Sequence, residues 1–335
     1  MVDWNNVNKF INEARQILLT THEKPDGDGL GCAAAMYYYL TGRGKDCRVI
    51  NHSPLPAEYR FLDPDGLFET YDRETHDAWL KKTDLVIIFD VGDYKRLQSI
   101  GKAIQRFALK TLNIDHHPYP GEPPFSMNVV DEKAAATGEL LYNYLKTVTE
   151  GPLPKELCVG LYTAIMTDTG SFRYNNTNVR SHEIAIECIR SGIDQSYIYQ
   201  QVYESHSPAR MKLLGKILNS LQFDLGGELA WFSINATMLE EAGATKEDVD
   251  GFTDFIRTIR GVEVALMVFQ SNHHTCRVNF RSKGKYAVND IAKSLGGGGH
   301  RFAAGAVVEG LLDTVVPKVL SETKQSLISQ NGRDR

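Results

Sequence analysis

Asp115, His116 and His117 stand in a row between the run Ala108–Ile114 and Pro118. Each can ionise or hold a metal. Alone, such a triplet reads as a polar turn at the end of a strand. Other segments of the first half carry the same chemistry. His22-Glu23-Lys24-Pro25-Asp26-Gly27-Asp28 offers an imidazole and two carboxylates, and Asp90 ends the apolar run Leu85–Phe89. A single strand-end aspartate is usually a cap or a turn. Several strand ends that all deliver His or Asp are harder to explain that way. Asp168 follows Leu157, Leu161, Ala164 and Ile165 at helical spacing and falls on their apolar face. A carboxylate buried there is costly unless a cation or hydrogen bonds meet it.

Gathered at one place, Asp26, Asp28, Asp90 and Asp168 repel. Two carboxylates about 4 Å apart oppose each other by about 1 kcal/mol in water, and by several-fold more when partly buried. Two divalent ions would neutralise the four charges. Carboxylates with two imidazoles favour Mn²⁺, with Mg²⁺ or Co²⁺ as alternatives, over an all-oxygen Ca²⁺ cage or a thiolate zinc site. Two such ions about 3.5–4 Å apart can activate a water and clamp a phosphoryl group for in-line attack. Asp90, on the central strand, is the candidate carboxylate for reaching both.

The elements that must position these residues alternate. Gln16–Thr20 and Arg48–Ile50 read as short strands, Gly31–Leu40 as a helix and Leu85–Phe89 as a strand. The last run is continuously apolar, which implies burial on both faces, as in a parallel sheet covered by helices. This predicts a doubly wound, mostly parallel α/β domain with its ligands beyond the carboxyl ends of the strands. Pro25 stiffens the first loop, and Gly27 and Gly29 let it turn. Asn175–Asn178 reads as a polar loop and Ser181–Arg190 as a helix stopped near Gly192. Tyr197–Phe223 has helical period. After Gly226-Gly227, Leu229–Ile234, Val262–Phe269 and Thr275–Phe280 read as strands, and Ala287–Leu295 as a helix. The expected organisation is a catalytic domain over 1–190, a helical connector over 191–225 and a smaller α+β substrate-binding domain over 226–330, with a cleft between the two domains. Gln330–Arg335 is polar and expected to fray.

The 335 residues carry a formal net charge of −5. No global basic field exists to grip a long nucleic-acid duplex, but local positive groups could meet a small phosphorylated substrate. No apolar stretch approaches the roughly 18 residues of a membrane span, and Met1–Arg15 has no leader-like apolar core. The five cysteines form no CxxC pair. A reduced, cytoplasmic setting is the expectation.

Two features of the second half bear on substrate. Gly296–Gly299 precedes His300 and lacks the Gly-Lys-Ser/Thr ending of a P-loop. Such a run is often a flexible loop, but its amides can also approach a phosphate or base closely. Cys276, Val278 and Phe280 alternate with Arg277, Asn279 and Arg281, which puts Arg281 on a polar face ahead of Ser282 and Lys283. A solvated edge strand would carry the same charges. Phe172-Arg173-Tyr174, just after Asp168, offers a stacking ring or a phosphate contact. His273-His274 has no acidic neighbours and reads as a surface turn.

His-x-x-Pro-Asp-x-Asp at 22–28, Asp90, Asp115-His116-His117 and Asp168-Thr169 resemble, in order, the four motifs of the DHH family of phosphoesterases. Gly296–His300 with Ala303-Ala304-Gly305 resembles the signature of the DHH-associated C-terminal domain, so the resemblance covers nearly the whole chain. It is strongest to the compact members that degrade very short RNAs and dephosphorylate adenosine 3′,5′-bisphosphate (pAp). It implies one metal on His22 and Asp26, a second on Asp28, His116 and Asp168, and Asp90 shared. His117 would touch the scissile phosphate, and Asp115 would orient an imidazole. Arg281, Ser282, Gly297, Gly298, Gly299 and His300, with Arg173 as a further contact, would grip the substrate. The implied activity is metal-dependent hydrolysis of short oligoribonucleotides, releasing mononucleotides, and of the 3′-phosphate of pAp. A cyclic or linear di-adenylate phosphodiesterase is the alternative, and a non-catalytic nucleotide sensor on the same scaffold is a second. A DHH-type pyrophosphatase lacks the Gly296–His300 signature. No membrane partner is implied, and a homodimer is compatible with the chain.

Overall fold

The computed structural model describes residues 2–119, 121 and 123–331. Leu85-Val86-Ile87-Ile88-Phe89 is buried along its whole length, as a strand covered on both faces must be. It is the fourth strand of a six-stranded sheet. In chain order the first unit contains α1 (Trp4–Glu13), β1 (Gln16–Thr21), α2 (Gly27–Thr41), β2 (Asp46–Asn51), β3 (Phe68–Thr70), α3 (Arg73–Leu80) and β4 (Leu85–Phe89). It continues with α4 (Gln98–Arg106), β5 (Thr111–Asp115), β6 (Met127–Val130), α5 (Thr137–Val148), α6 (Lys155–Asp168), α7 (Val179–Arg190) and α8 (Gln195–Tyr203). All neighbouring strands are parallel, in the order β3-β2-β1-β4-β5-β6.

That order reverses direction between β1 and β4, which opens a ligand-binding crevice at their carboxyl ends. The register is Thr21 beside Phe89 and Phe89 beside Ile114. His22, Asp90 and Asp115 therefore stand side by side at the carboxyl edge of the sheet. Leu19, Ile87, Leu112 and Ile114 face one apolar core, under α2, α5 and α6, and Leu18, Val86 and Ile88 face a second, under α3 and α4. The α2 and α6 backbones approach so closely that a Cβ on Gly31 would collide with the carbonyl oxygen of Gly160, and one on Gly160 with that of Gly31. This crossing brings the start of α2 and the end of α6 to the same sheet edge.

The chain divides at Ser205/His206 into two compact units. The second comprises α9 (Pro208–Ser220), β7 (Gln222–Asp224), β8 (Leu229–Ile234), α10 (Ala236–Ala242), α11 (Phe252–Ile256), β9 (Val264–Gln270) and β10 (Thr275–Ser282). It ends with α12 (Asn289–Ser294), β11 (Gly298–His300), β12 (Ala303–Glu309) and α13 (Leu312–Asn331). Its sheet runs β11-β12-β10-β9-β8-β7 and is mixed, since β8 and β9 are parallel and the other pairs antiparallel. β9 is buried on both faces, whereas β10 alternates buried and half-buried residues.

Two expectations change, and one alternative, the solvated edge strand, falls away. The helical period of Tyr197–Phe223 is interrupted, because Ser207 caps a new helix through the Arg210 N–H at 3.0 Å and Pro208 occupies its first turn. Phe223 lies in strand β7. β10 is an interior strand, so Arg277 and Arg281 do not mark a sheet edge. α13 runs through Gln330 to Asn331, and the rest of the expected frayed end, 332–335, lies outside the described residues. All five cysteines are free and buried. Among the described residues no helix is long and apolar enough to cross a membrane.

Candidate metal centre and active site

His22 emerges from β1 with its Nδ1 2.8 Å from the Glu23 carbonyl oxygen. A carbonyl can only accept, so Nδ1 carries a proton and Nε2 points inward, where it can ligate a cation once it gives up its own proton. Nε2 lies 3.3 Å from Asp90 Oδ2 and 3.6 Å from Asp26 Oδ1. Asp26 is the N-cap of α2 and accepts the N–H groups of Asp28 and Gly29 at 3.1 and 3.4 Å. Asp28 is buried and accepts the N–H groups of Thr137 and Gly138, at the start of α5, at 2.7 and 2.9 Å. The positive end of that helix thus holds the carboxylate in place.

Asp90 occupies the left-handed region with φ 61°, an unusual state for a residue with a Cβ, and it accepts the Thr137 hydroxyl at 3.3 Å. His116 sets its Nδ1 3.3 Å from the Ala134 carbonyl oxygen. Its Nε2 then faces Asp168 Oδ2 at 3.5 Å, Asp90 Oδ1 at 3.7 Å and Asp28 Oδ2 at 3.8 Å. His117 Nδ1 is 2.9 Å from Asp115 Oδ1 and 3.0 Å from Asp90 Oδ1. Asp168 ends α6, where Asn176 Nδ2 donates to its backbone oxygen at 3.1 Å and to its carboxylate at 3.4 Å.

The residues fit divalent cations on two grounds. First, Nε2 of His22 and Nε2 of His116 are buried without a hydrogen-bond partner. Buried polar atoms seldom go unmet. Second, three sets of donors, His22/Asp26/Asp90, Asp28/His116/Asp168 and Asp90/His116/His117, each place their ligand atoms within 4.8 Å of one another. With no cation the charges are frustrated. Burial, then the nearby Asp90 and Asp26, pushes the Asp168 carboxyl up to about 8. Burial, then Asp90 and Asp168, raises Asp28 as well. Burial disfavours the His22 imidazolium, but the facing Asp26 and Asp90 carboxylates outweigh it and raise it to about 10. His117 goes up to about 11, with Asp115 and Asp90 outweighing burial. Burial opposes the Asp90 carboxylate, yet His117 and His22 hold it below the usual range. Protons stand in where cations would compensate the carboxylates.

Residues 16–165 match the DHH family, N-terminal domain, and residues 233–328 match the DHHA1 domain. The bifunctional oligoribonuclease and PAP phosphatase NrnA of Thermus thermophilus is 30% identical over 318 residues, covering 93% of this chain and 90% of that protein. This chain belongs to the DHH family. A DHH relative of the same description in Bacillus subtilis is 28% identical over 297 residues, covering 87% of this chain and 89% of its own. The solved structure of an exopolyphosphatase-related protein from Bacteroides fragilis superposes with a TM-score of 0.89 at 25% identity, covering 97% of this chain and 95% of that one. The DHH cluster has the donors to hold divalent metal ions.

Of the residues singled out in the first unit of this DHH chain, His22, Asp26, Asp28, Asp90, Asp115, His116, His117 and Asp168 gather at one sheet edge. Arg173 is exposed and donates from Nε to the Gly170 carbonyl oxygen at 2.8 Å. In the second unit, Arg281 is half-buried and pairs through Nε with Asp254 at 3.2 Å. Ser282 does not share that face. It is 2% exposed, alternates with Arg281 along β10, and its hydroxyl oxygen accepts the Gly284 N–H at 3.1 Å. The glycine run is ordered. Gly298–His300 pairs with β12, and a Cβ on Gly297 or Gly299 would strike β12 atoms. Gly298 has open space.

Thr137, Gly138 and Asn176 escape sequence reasoning. The small run Ala134-Ala135-Ala136 leading into Thr137-Gly138 is a signal for a helix N-terminus at the site. Asn176 sits in a loop that reads only as polar.

Proposed function

We propose that this DHH protein is a divalent-metal-dependent hydrolase of phosphoester bonds that degrades very short RNAs from an end to mononucleotides and removes the 3′-phosphate of pAp. The observation that carries it is the pair of buried, unpartnered nitrogens, His22 Nε2 and His116 Nε2, each facing its own carboxylates and both facing Asp90. The names of the Thermus and Bacillus relatives supply the substrate class.

His22 and Asp26 would hold one ion, Asp28, His116 and Asp168 the other, and Asp90 both. Mn²⁺ is the ion we favour, given mixed imidazole and carboxylate donors. When bound, the pair supplies Lewis acidity that eases deprotonation of water and offsets phosphoryl charge. The chain's own residues do the rest. Glu23 and Ala134 carbonyls fix the two ligand imidazoles, and the α5 amides fix Asp28. Asp115 holds His117, whose imidazole would meet the phosphoryl oxygens as their charge grows. In the second unit, Arg281, His300 and the amides of Gly297, Gly298 and Gly299 would take a phosphate or nucleotide of the substrate. The catalytic role then falls to residues 1–190 and the substrate grip to 226–330. A cytoplasmic location and a homodimer complete the reading.

One side-by-side assay with Mn²⁺ tests it, using pAp, pApA, a five-nucleotide RNA, cyclic di-AMP and pyrophosphate. Turnover of the first three, lost in Asp90→Ala while circular dichroism stays unchanged, is the expected result. Turnover of pyrophosphate or cyclic di-AMP alone, or full activity in Asp90→Ala, would overturn it.

A further inference from the structure

A pocket of about 220 Å³ opens directly on the two proposed metal sets. Asp26, from one set, and Asp168, from the other, form part of its lining. Its remaining walls are Tyr59, Thr167, Tyr174, Val202 and Tyr203. Three aromatic rings beside carboxylates, with no lysine or arginine among the described lining residues, do not suit a phosphate. They suit a flat, uncharged, aromatic group attached to a phosphate that the metals hold.

The loop after Asp168 is built to present one of those rings. Gly170, Ser171 and Phe172 take φ values of 56°, 59° and 63°, three consecutive residues in the left-handed region, two of them with side chains that disfavour it. Thr169 pins the turn. Its backbone oxygen accepts the N–H groups of Arg173 and Tyr174 at 2.9 and 3.0 Å, and its hydroxyl oxygen accepts that of Phe172 at 3.1 Å. Phe172 is anchored inward, stacked on His182 at 5.2 Å between ring centroids. Tyr174 is turned the other way. Its ring lies over Gly170, where a Cβ would overlap it, and 43% of the residue stays exposed. Costly backbone states that persist beside a reactive centre are where function is expected. Tyr203, also in the lining, is steadied by Tyr199, with ring centroids 5.0 Å apart.

We propose that this pocket is a nucleobase subsite, in which Tyr174 and Tyr203 take up the base of the nucleotide whose phosphate is cut. The inference rests on the phosphoesterase reading of the two metal sets. Stacking on aromatic side chains tolerates sequence, because every base has a π-face, and purines offer the larger one. The subsite would therefore select nucleotides over base-free sugar phosphates without reading RNA sequence.

The test is calorimetric binding of AMP and of ribose 5-phosphate to the Mn²⁺-loaded protein, for wild type, Tyr174→Ala and Tyr174→Phe. Wild type should prefer AMP by about 5- to 150-fold, the range of a stacked base. Tyr174→Ala should lose most of that preference with ribose 5-phosphate binding unchanged, and Tyr174→Phe should keep it. Equal binding of the two ligands by wild type would overturn the proposal. So would an unchanged ratio in Tyr174→Ala, or a parallel loss of both ligands. Tyr203→Leu repeats the comparison at a second lining ring and should also cut the preference. Hydrolysis of pAp and of a five-nucleotide RNA on the same preparations separates the two readings. No turnover with the AMP preference intact would remove the proposed activity and leave the subsite. Turnover without the preference would remove the subsite alone.

Discussion

Gly31→Ala should damage the metal centre from inside the protein core. The added methyl would overlap the Gly160 carbonyl oxygen and sit 3.1 Å from the Ala164 nitrogen. A carbon–oxygen contact needs about 3.3–3.6 Å, so α2 and α6 must separate by about 1 Å or more. Overpacking of this kind costs about 1–3 kcal/mol. For a unit of this size each kcal/mol lowers Tm by about 2–4 °C, so the expected drop is about 2–12 °C. The same shift moves Asp26 and Asp28, at the head of α2, away from Asp168, at the foot of α6. A misplacement of about 1 Å can cost about 100-fold in rate. Thermal melts with and without Mn²⁺, together with steady-state kinetics on pAp, measure both effects. Gly215→Ala is the control, since a Cβ there meets open space on α9. It should be neutral or stabilise by about 0.4–1 kcal/mol. If Gly31→Ala melts and turns over like the wild type, the crossing does not set the carboxylate spacing.

Three further outcomes are expected. Chelation should leave far-ultraviolet circular dichroism unchanged while Tm falls by about 5–10 °C, as for ligand held at about 100 times Kd; elemental analysis should find two ions per chain before chelation, and a chain with none would remove the metal reading. Asn176→Ala deletes donors to Asp168 and to the Ala135 carbonyl oxygen, and should lower metal affinity about 10- to 100-fold by titration with little change in Tm; an unchanged affinity would mean that Asn176 does not position Asp168. Arg281→Ala should raise KM for a short RNA with kcat nearly intact, and an unchanged KM would take the second unit out of substrate binding.

The strand ends were legible because their chemistry is written in contiguous residues. Leu85–Phe89 declares a doubly covered strand, and Asp90 and Asp115-His116-His117 follow directly from strand ends. Asp168 was legible through its helical phase with Leu161 and Ile165. The supports were not legible, since each depends on a distant partner. The Thr137 and Gly138 amides reach Asp28 across 109 and 110 residues, and nothing local marks them as its partners. The aromatic pocket draws on Tyr59, Tyr174 and Tyr203 from three separate segments. Period alone also misled over Tyr197–Phe223, because helical spacing on both sides of Ser207-Pro208 hides the capped restart. The side to which Ser282 belongs required the pleat of β10 rather than its nearness to Arg281.

The hydrogen bonds from the α5 amides to Asp28 have a consequence for when metal can enter. The donor atoms come from His22 to Asp168, in four well-separated stretches of chain. An unfolded chain would have to close loops of tens of residues to gather them, so metal cannot template early folding as zinc does in a small finger. The sheet must assemble first and hold mutually repelling carboxylates on its own. Folding and metallation are then separate events in time. With the two proposed ions, a newly made chain would mature empty and acquire them afterwards.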